Sequence, residues 1–374
     1  IAGIVDLREI IKMTTRREFL ALSAGAMAAY AAGLKAVEPA ARPLEILFLG
    51  GTGFLGPHQI NYALARGHKV TMFNRGRNSG MFGDEVEELV GDRDDNKDDG
   101  LKALRGRRTW DVVVDNSGYV PRHVRDSVEL LKDRCKRYVY ISTVAVYDFG
   151  IGASLFPEDA KLADLEDPSI EEVTGVTYGP LKAACDLIVQ DMLGEQATIV
   201  RPTYVVGPGD HTDRFTYWVD RVHRGGEVLG PSRPDVTAQW VDARDLCPWV
   251  VTLAENGTPG IFNAAGPAST VTREALMWGL RAMTDQPVEF FWPSDDLLEE
   301  FEFNTPMMSA REGSLNFVNS ASLAAGINYR SLADTARDTL EWWHGQPAER
   351  RANPRRWSPA ELERKVIARI KQES

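Results

Sequence analysis

The sequence predicts an α/β fold built on a doubly wound parallel sheet, with a smaller, mostly helical C-terminal region. Three observations point that way. Leu44–Leu49 is a short, continuously apolar run, as expected of a strand buried on both faces. It leads directly into Gly50-Gly51-Thr52-Gly53-Phe54-Leu55-Gly56 and then into a helix-like stretch, Phe54–Arg66. Short apolar runs then recur at Lys69–Asn74, in "EVEELV", in "WDVVVD" and at Arg137–Ser142, separated by longer connections that leave room for helices.

The bulk numbers fit this reading. A chain of 374 residues exceeds one average domain, and 43% hydrophobic with 26% charged residues is ordinary for a globular protein. A net charge of −11 disfavours a phosphate-backbone partner, so no nucleic acid is expected. Cys135, Cys185 and Cys247 are widely spaced and read as buried apolar side chains, and the six histidines show no metal-ligand spacing.

The first segment needs separate treatment. Arg16-Arg17-Glu18-Phe19-Leu20 resembles a twin-arginine export signal, and the apolar run Leu20–Gly33 is too short and alanine-rich to span a membrane. Residues 1–42 are therefore expected to be upstream sequence plus a signal peptide, with Met13 as the start and cleavage near Ala31 or Ala40. The protein would then be exported to the periplasm or another extracytoplasmic space. With a non-functional signal it would be cytoplasmic. No transmembrane segment is expected in the mature chain.

The glycine spacing has a chemical meaning. Gly50 and Gly53 would let the backbone turn and approach a pyrophosphate, with Phe54 and Leu55 opening the helix whose N-terminus faces it. Gly56 would let that helix pack on the strand. This is a Rossmann-type dinucleotide site. The second strand ends in Asn74-Arg75-Gly76-Arg77, where an NAD site usually places an acid for the ribose diol. Without that carboxylate, Arg75 and Arg77 favour NADP, with NAD the alternative. Asp92-Arg93 falls where the adenine ring would be met, and the fourth strand delivers Asn116, Ser117 and Gly118 beside the cofactor.

The fifth strand runs into Ser142-Thr143, and Tyr178-Gly179-Pro180-Leu181-Lys182 opens a helix. Tyr178 and Lys182, four apart, share one helix face. An ammonium there favours the phenolate, and a Thr143 hydroxyl would hold the substrate oxygen while hydride moves.

With "GGTGFLG", "STVAVY", "YGPLK" and "RPTYVVGPGD" in place, the chain from about Leu44 to Trp343 resembles an extended or atypical short-chain dehydrogenase/reductase of the NAD-dependent epimerase/dehydratase family. The resemblance implies catalysis by Thr143, Tyr178 and Lys182, with Arg201–Gly209, including Pro202, closing over the nicotinamide. It implies a small, sugar-like substrate and leaves room for a helix-mediated homodimer. Nucleotide-sugar members carry an arginine for the substrate pyrophosphate where this chain has Ala238, with Arg233 or Arg244 as candidate substitutes. An acidic insertion, "PEDAKLADLEDPSIEE", separates Thr143 from Tyr178 and reads as a solvated loop or as a lid.

The expected layout is a dinucleotide-binding part at 43–202 plus 235–265, and a substrate-binding part at 203–234 plus 266–374. Ala197–Val200, Gln239–Asp242 and Gly260–Asn263 should add strands to the first sheet. Phe215, Tyr217, Trp218 and His223 form either a sugar-stacking wall or core, and "GQPAERRANPRRWSP" links to a last amphipathic helix. The expected function is an NAD(P)-dependent oxidoreductase or epimerase acting on a carbohydrate hydroxyl. Because the twin-arginine route moves folded proteins, the cofactor is expected to be tightly held and internally recycled. The alternatives are a cytoplasmic nucleotide-sugar epimerase or dehydratase, or a non-catalytic RNA-associated relative.

Overall fold

Among the described residues the strands are β1 Glu45–Leu49, β2 Lys69–Asn74, β3 Val86–Val90, β4 Trp110–Asp115, β5 Cys135–Ile141, β6 Leu155–Phe156, β7 Ala197–Pro202, β8 Tyr204–Val206, β9 Gly226–Leu229, β10 Thr237–Asp242, β11 Gly260–Ala264, β12 Gly266–Thr272, β13 Val288–Phe291 and β14 Asn316–Phe317. The helices are α1 Leu55–Ala65, α2 Pro121–Leu131, α3 Tyr178–Leu193, α4 Arg214–His223, α5 Ala243–Asn256, α6 Arg273–Arg281, α7 Asp295–Glu300, α8 Ser320–Ala324, α9 Leu332–His344, α10 Ala348–Ala352 and α11 Ala360–Glu373. The computed structural model describes residues 37–151, 154–308 and 316–373. The expected signal peptide lies outside the described residues apart from its last few positions.

Seven strands form one parallel sheet in the order β11-β7-β5-β4-β1-β2-β3. The chain runs outward through β2 and β3, then returns to β4 on the other side of β1 and continues outward through β5. Order therefore reverses between β1 and β4, which opens a crevice at their carboxyl ends.

The sheet is buried on both faces because its strands are apolar at successive positions. Ile46, Phe48, Val112 and Val114 pack against Ile60 and Ala63 of α1 and against Leu246, Trp249 and Val250 of α5. Leu47, Leu49, Val113, Tyr138 and Tyr140 point the other way, against Val124 and Val128 of α2 and Cys185, Ile188 and Val189 of α3. The alternation follows the period of two of a pleated strand. Helix ends carry their own signals: Pro121 opens α2, and Asp242 caps α5 by accepting from the Arg244 amide at 2.9 Å.

One expected strand goes elsewhere. Gly260–Ala264 joins the large sheet, but Gln239–Asp242 lies in β10, inside a separate three-stranded sheet ordered β12-β10-β8. Its Ala238 and Trp240 pack with Phe215, Trp218 and Met277 rather than with the dinucleotide-side core. The region beyond Thr270 also contains short strands, β13 beside β9 and β14 beside β6, between its helices.

The basic linker is docked rather than free. Asp213, fully buried and at φ 57°, receives Arg350 at 2.5 Å, the Arg355 amide at 2.7 Å and, on its carbonyl, the Trp357 indole at 3.0 Å. The last helix is anchored by Glu363, which accepts from Arg221 at 2.8 Å, and buries Val366 and Ile367 with Leu229, Leu297 and Leu298.

Between the large sheet and α3, Arg201 donates to Asp186 at 2.8 Å, both nearly inaccessible to water, and Asp186 also accepts from the Ser142 hydroxyl. Removing one partner of such a pair leaves a buried, unpaired charge. Arg201→Met should lower stability by about 3–5 kcal/mol in urea denaturation, and the double variant Arg201→Met/Asp186→Leu should lose markedly less.

Candidate active site

A cleft of about 980 Å³ lies at the carboxyl ends of the strands. Of the residues singled out from the sequence, Gly50, Gly53, Phe54, Leu55, Gly56, Asn74, Arg75, Arg77, Asp92, Asn116, Ser117, Thr143, Tyr178, Lys182 and Pro202 all line it. Gly118 does not. Its carbonyl instead accepts from Tyr140 and Lys182, both at 2.7 Å, and a side chain there would run into the Tyr140 ring.

The glycines divide by what surrounds them. Gly50 turns the chain out of β1 at φ 85°, and a Cβ there would come within 2.8 Å of Ser117. A Cβ at Gly56 would collide with the Gly51 backbone, so this glycine lets α1 pack on the strand. Gly51, which the sequence reading passed over, is hemmed in by Met72 and Ile60. Gly53 meets nothing within 4 Å and presents bare backbone to the cleft at the start of α1. That is an open cradle for a phosphate.

The buried polar atoms of cleft-lining residues that have no partner among the described residues include Asn74 Nδ2 and Asn116 Oδ1. Asn74 Oδ1 is committed to the Gly76 amide at 2.5 Å, and Asn116 Nδ2 to Gln59 at 2.6 Å. Arg75 and Arg77 are exposed beside Asn74, on the cleft wall. Asp92 accepts from the Asp94 amide at 2.9 Å. Arg93 also lines the cleft but is committed inside the protein: it forks onto Asp115 at 2.6 and 3.0 Å and reaches the Ser117 hydroxyl at 3.1 Å, fixing the loop after β4. These residues fit a dinucleotide.

Tyr178 opens α3, and burial, reinforced by the neighbouring Tyr119 phenol, pushes its own phenol up to about 12. The nearby Thr143 hydroxyl and Arg214 pull the other way. Lys182 lines the same cleft one turn later, but its ammonium is turned inward. It donates to Gly118 O at 2.7 Å, Tyr140 Oη at 2.5 Å and Ile141 O at 2.9 Å, and burial lowers its pKa. Sharing a helix face therefore does not by itself aim Lys182 at Tyr178.

At the substrate end the structure decides between alternatives that the sequence leaves open. Phe215, Tyr217 and Trp218 are core, with Trp218 donating to Pro306 O at 2.6 Å, and the His223 ring packs tilted against that of His344. The aromatic wall of the cleft is instead Tyr119, Phe149, Tyr204 and Phe317. Arg233 and Arg244 are outside the cleft, paired with Asp295 at 3.3 Å and with Asp242 and Asp338 at 2.7 and 2.5 Å. Ala238 lines it, and so do two arginines that the sequence did not single out, Arg214 and Arg273. Arg273 follows β12, whose Val271 pairs across the ladder with Ala238, so only the register places it there. The acidic insertion is exposed over much of its length but tied down: Glu158 accepts from the Asn263 amide at 3.1 Å, and Glu171 accepts from Arg122 at 2.6 Å.

Comparison with known proteins gives the class. A model of the NAD dependent epimerase/dehydratase family matches residues 46–265, more than half of the chain, and the protein belongs to that family of enzymes. Among curated proteins it is similar to the chloroplast stem-loop binding protein of 41 kDa b of Arabidopsis thaliana, 25% identical over 237 residues. That match covers 59% of this chain and 58% of the relative, less than two thirds of its length. Among solved structures it is similar to UDP-glucuronic acid 4-epimerase of Bacillus cereus in complex with NAD, with a TM-score of 0.56 and 16% identity over 80% of this chain and 98% of that one. A dTDP-glucose 4,6-dehydratase of Bacillus anthracis in complex with NAD gives a TM-score of 0.58 and 15% identity over 86% and 99%. At such identities the likeness is one of fold. No described helix is long and apolar enough to cross a membrane, and no described cluster of His, Cys, Asp and Glu could hold a metal ion.

The glycine geometry separates two roles. Gly56→Ala should cost about 1–3 kcal/mol of stability in urea because the helix must back away from the strand. Gly53→Ala should leave the urea midpoint near that of the parent while weakening dinucleotide binding in a fluorescence titration.

Proposed function

We propose that the protein is an NAD(P)-dependent oxidoreductase or epimerase acting on a hydroxyl of a carbohydrate or sugar derivative. The observation that carries this reading is the convergence of Tyr178, Thr143 and Lys182 with the glycine cradle on one cleft. Tyr178 is the acid/base: its phenolate takes the proton of the substrate hydroxyl, and the Thr143 hydroxyl holds the same oxygen. A bound dinucleotide supplies the hydride acceptor. Pro202 and the loop after it wall the nicotinamide end, and Asn116 and Ser117 the middle. Arg75 and Arg77 favour a 2′-phosphate, hence NADP over NAD, because they are exposed on the wall and the residue before them is Asn74 rather than an acid.

The twin-arginine segment supports export of the folded protein with its cofactor seated, and therefore a cycle that returns the hydride. A nucleotide-sugar substrate is the second reading, favoured by Arg214 on the cleft wall, a cation for a phosphate in place of the arginine missing at Ala238; Arg273 is buried and already donates to Ser232 O at 3.0 Å. A non-catalytic, RNA-associated role is the third reading, supported by the relative's name as a stem-loop binding protein. The net charge of −11 weighs against it, and retention of RNA at low salt would revive it.

Tyr178→Phe should reduce turnover by about 10²-fold or more, with the urea midpoint little changed. Since burial holds the phenol above its usual range, kcat/KM for substrate oxidation should climb about tenfold per pH unit below that pKa. Arg75→Ala/Arg77→Ala should raise the NADP dissociation constant about tenfold or more and leave that of NAD nearly unchanged, read by calorimetry.

A further inference from the structure

Lys182 carries three N–H donors, and all three are spent inside the protein. Two go to backbone carbonyls at the ends of strands, Gly118 O after β4 and Ile141 O in β5. The third goes to the phenol of Tyr140, itself fully buried, which passes its own proton to Gly118 O. The ammonium sits 4.1 Å from the Tyr140 ring centre, while the ring of Tyr119, on the cleft side, is 5.4 Å away. No donor of Lys182 is left for Tyr178. Two of the three acceptors belong to the main chain and are invariant to side-chain choice, so the Tyr140 hydroxyl is the one acceptor that the sequence adjusts.

We propose that Tyr140 is a positioning residue that holds Lys182 in a retracted seat, and thereby sets how far the ammonium supports the Tyr178 phenolate. This rests on the reading of Tyr178 as acid/base. Without the Tyr140 hydroxyl one ammonium proton would be buried and unpaired, a cost that turning towards the cleft and Tyr178 relieves. Other groups facing the pair are fixed and are shared by the parent and the variants: Asp186, Cys185, Asp115 and Arg93 around Lys182, and Tyr119, Thr143, Arg214 and Asp186 around Tyr178. Phenylalanine in place of Tyr140 keeps the ring in the Tyr138–Tyr140 layer of the core and removes only the hydroxyl.

The test needs no substrate. The full chain is labelled with carbon-13 at tyrosine Cζ, and the Tyr178 signal, identified by its loss in Tyr178→Phe, is followed through a pH titration. In Tyr140→Phe that signal should titrate about one pH unit lower than in the parent. In the parent background, Lys182→Met should leave the Tyr178 titration almost unmoved, because the ammonium is already turned away. In the Tyr140→Phe background, Lys182→Met should cancel the downward shift. An unchanged or higher Tyr178 pKa in Tyr140→Phe overturns the proposal. So does a rise of about one unit in Lys182→Met alone, which would place the ammonium on Tyr178 from the start, and this arm stands even if Tyr140→Phe does not fold. Failure of the catalytic reading registers separately, as unchanged turnover in Tyr178→Phe.

Discussion

The site depends on a polar seam through an otherwise apolar layer. Helix α3 packs on the sheet with Ile188, Val189 and Leu193, yet on its inward side it also places Lys182 and Asp186. Neither charge can be left unpaired there. Asp186 is met by Arg201 from β7 and by the Ser142 hydroxyl beyond β5, and Lys182 by the ends of β4 and β5. The helix is therefore registered against three strand ends, and Tyr178, Thr143 and Pro202 are each within a few residues of one of those anchors. Arg201 extends the seam to Tyr147 at 3.0 Å, which donates to Asn263 of β11 at 2.6 Å. The polar network does not add much stability over an apolar one. Its effect is to make the position of helix α3 unique.

The same logic applies at the loops after β3 and β4. Asp115 is buried at the end of β4 and paired with Arg93 and the Tyr138 hydroxyl at 2.8 Å, so the loop after β3 is pinned to the loop after β4. Arg122 then connects Asp94 to Glu171 of the acidic insertion, at 2.9 and 2.6 Å. A segment that looks merely solvated in composition is joined through one guanidinium to the wall of the cleft.

What was legible in the sequence was what depends on local backbone. The strand, the turn at positive φ at Gly50 and the close approach of α1 at Gly56 are properties of adjacent residues and are legible there, whereas the crowding of Gly51 by Met72 and Ile60 is not. The Tyr178–Lys182 spacing was legible as a shared helix face, but the direction of the ammonium was not, because its acceptors come from positions 42 and 64 residues away. Tyr140 looks in sequence like any inward strand residue. Gln239–Asp242 has the composition of a sheet strand, and nothing local says which sheet it joins. Arg273 reaches the cleft only through the β10–β12 register, and Phe215 and Trp218 became core because α4 is covered by the C-terminal segments.

The cleft is proposed to hold a dinucleotide beside Tyr178 and Thr143 tightly enough to keep it through purification. Mass spectrometry of the freshly purified, undialysed protein, released from its ligand by denaturation, tests it most directly. The account predicts close to one NADP or NAD per chain. A preparation that carries no dinucleotide and takes up neither form when each is added back would contradict it.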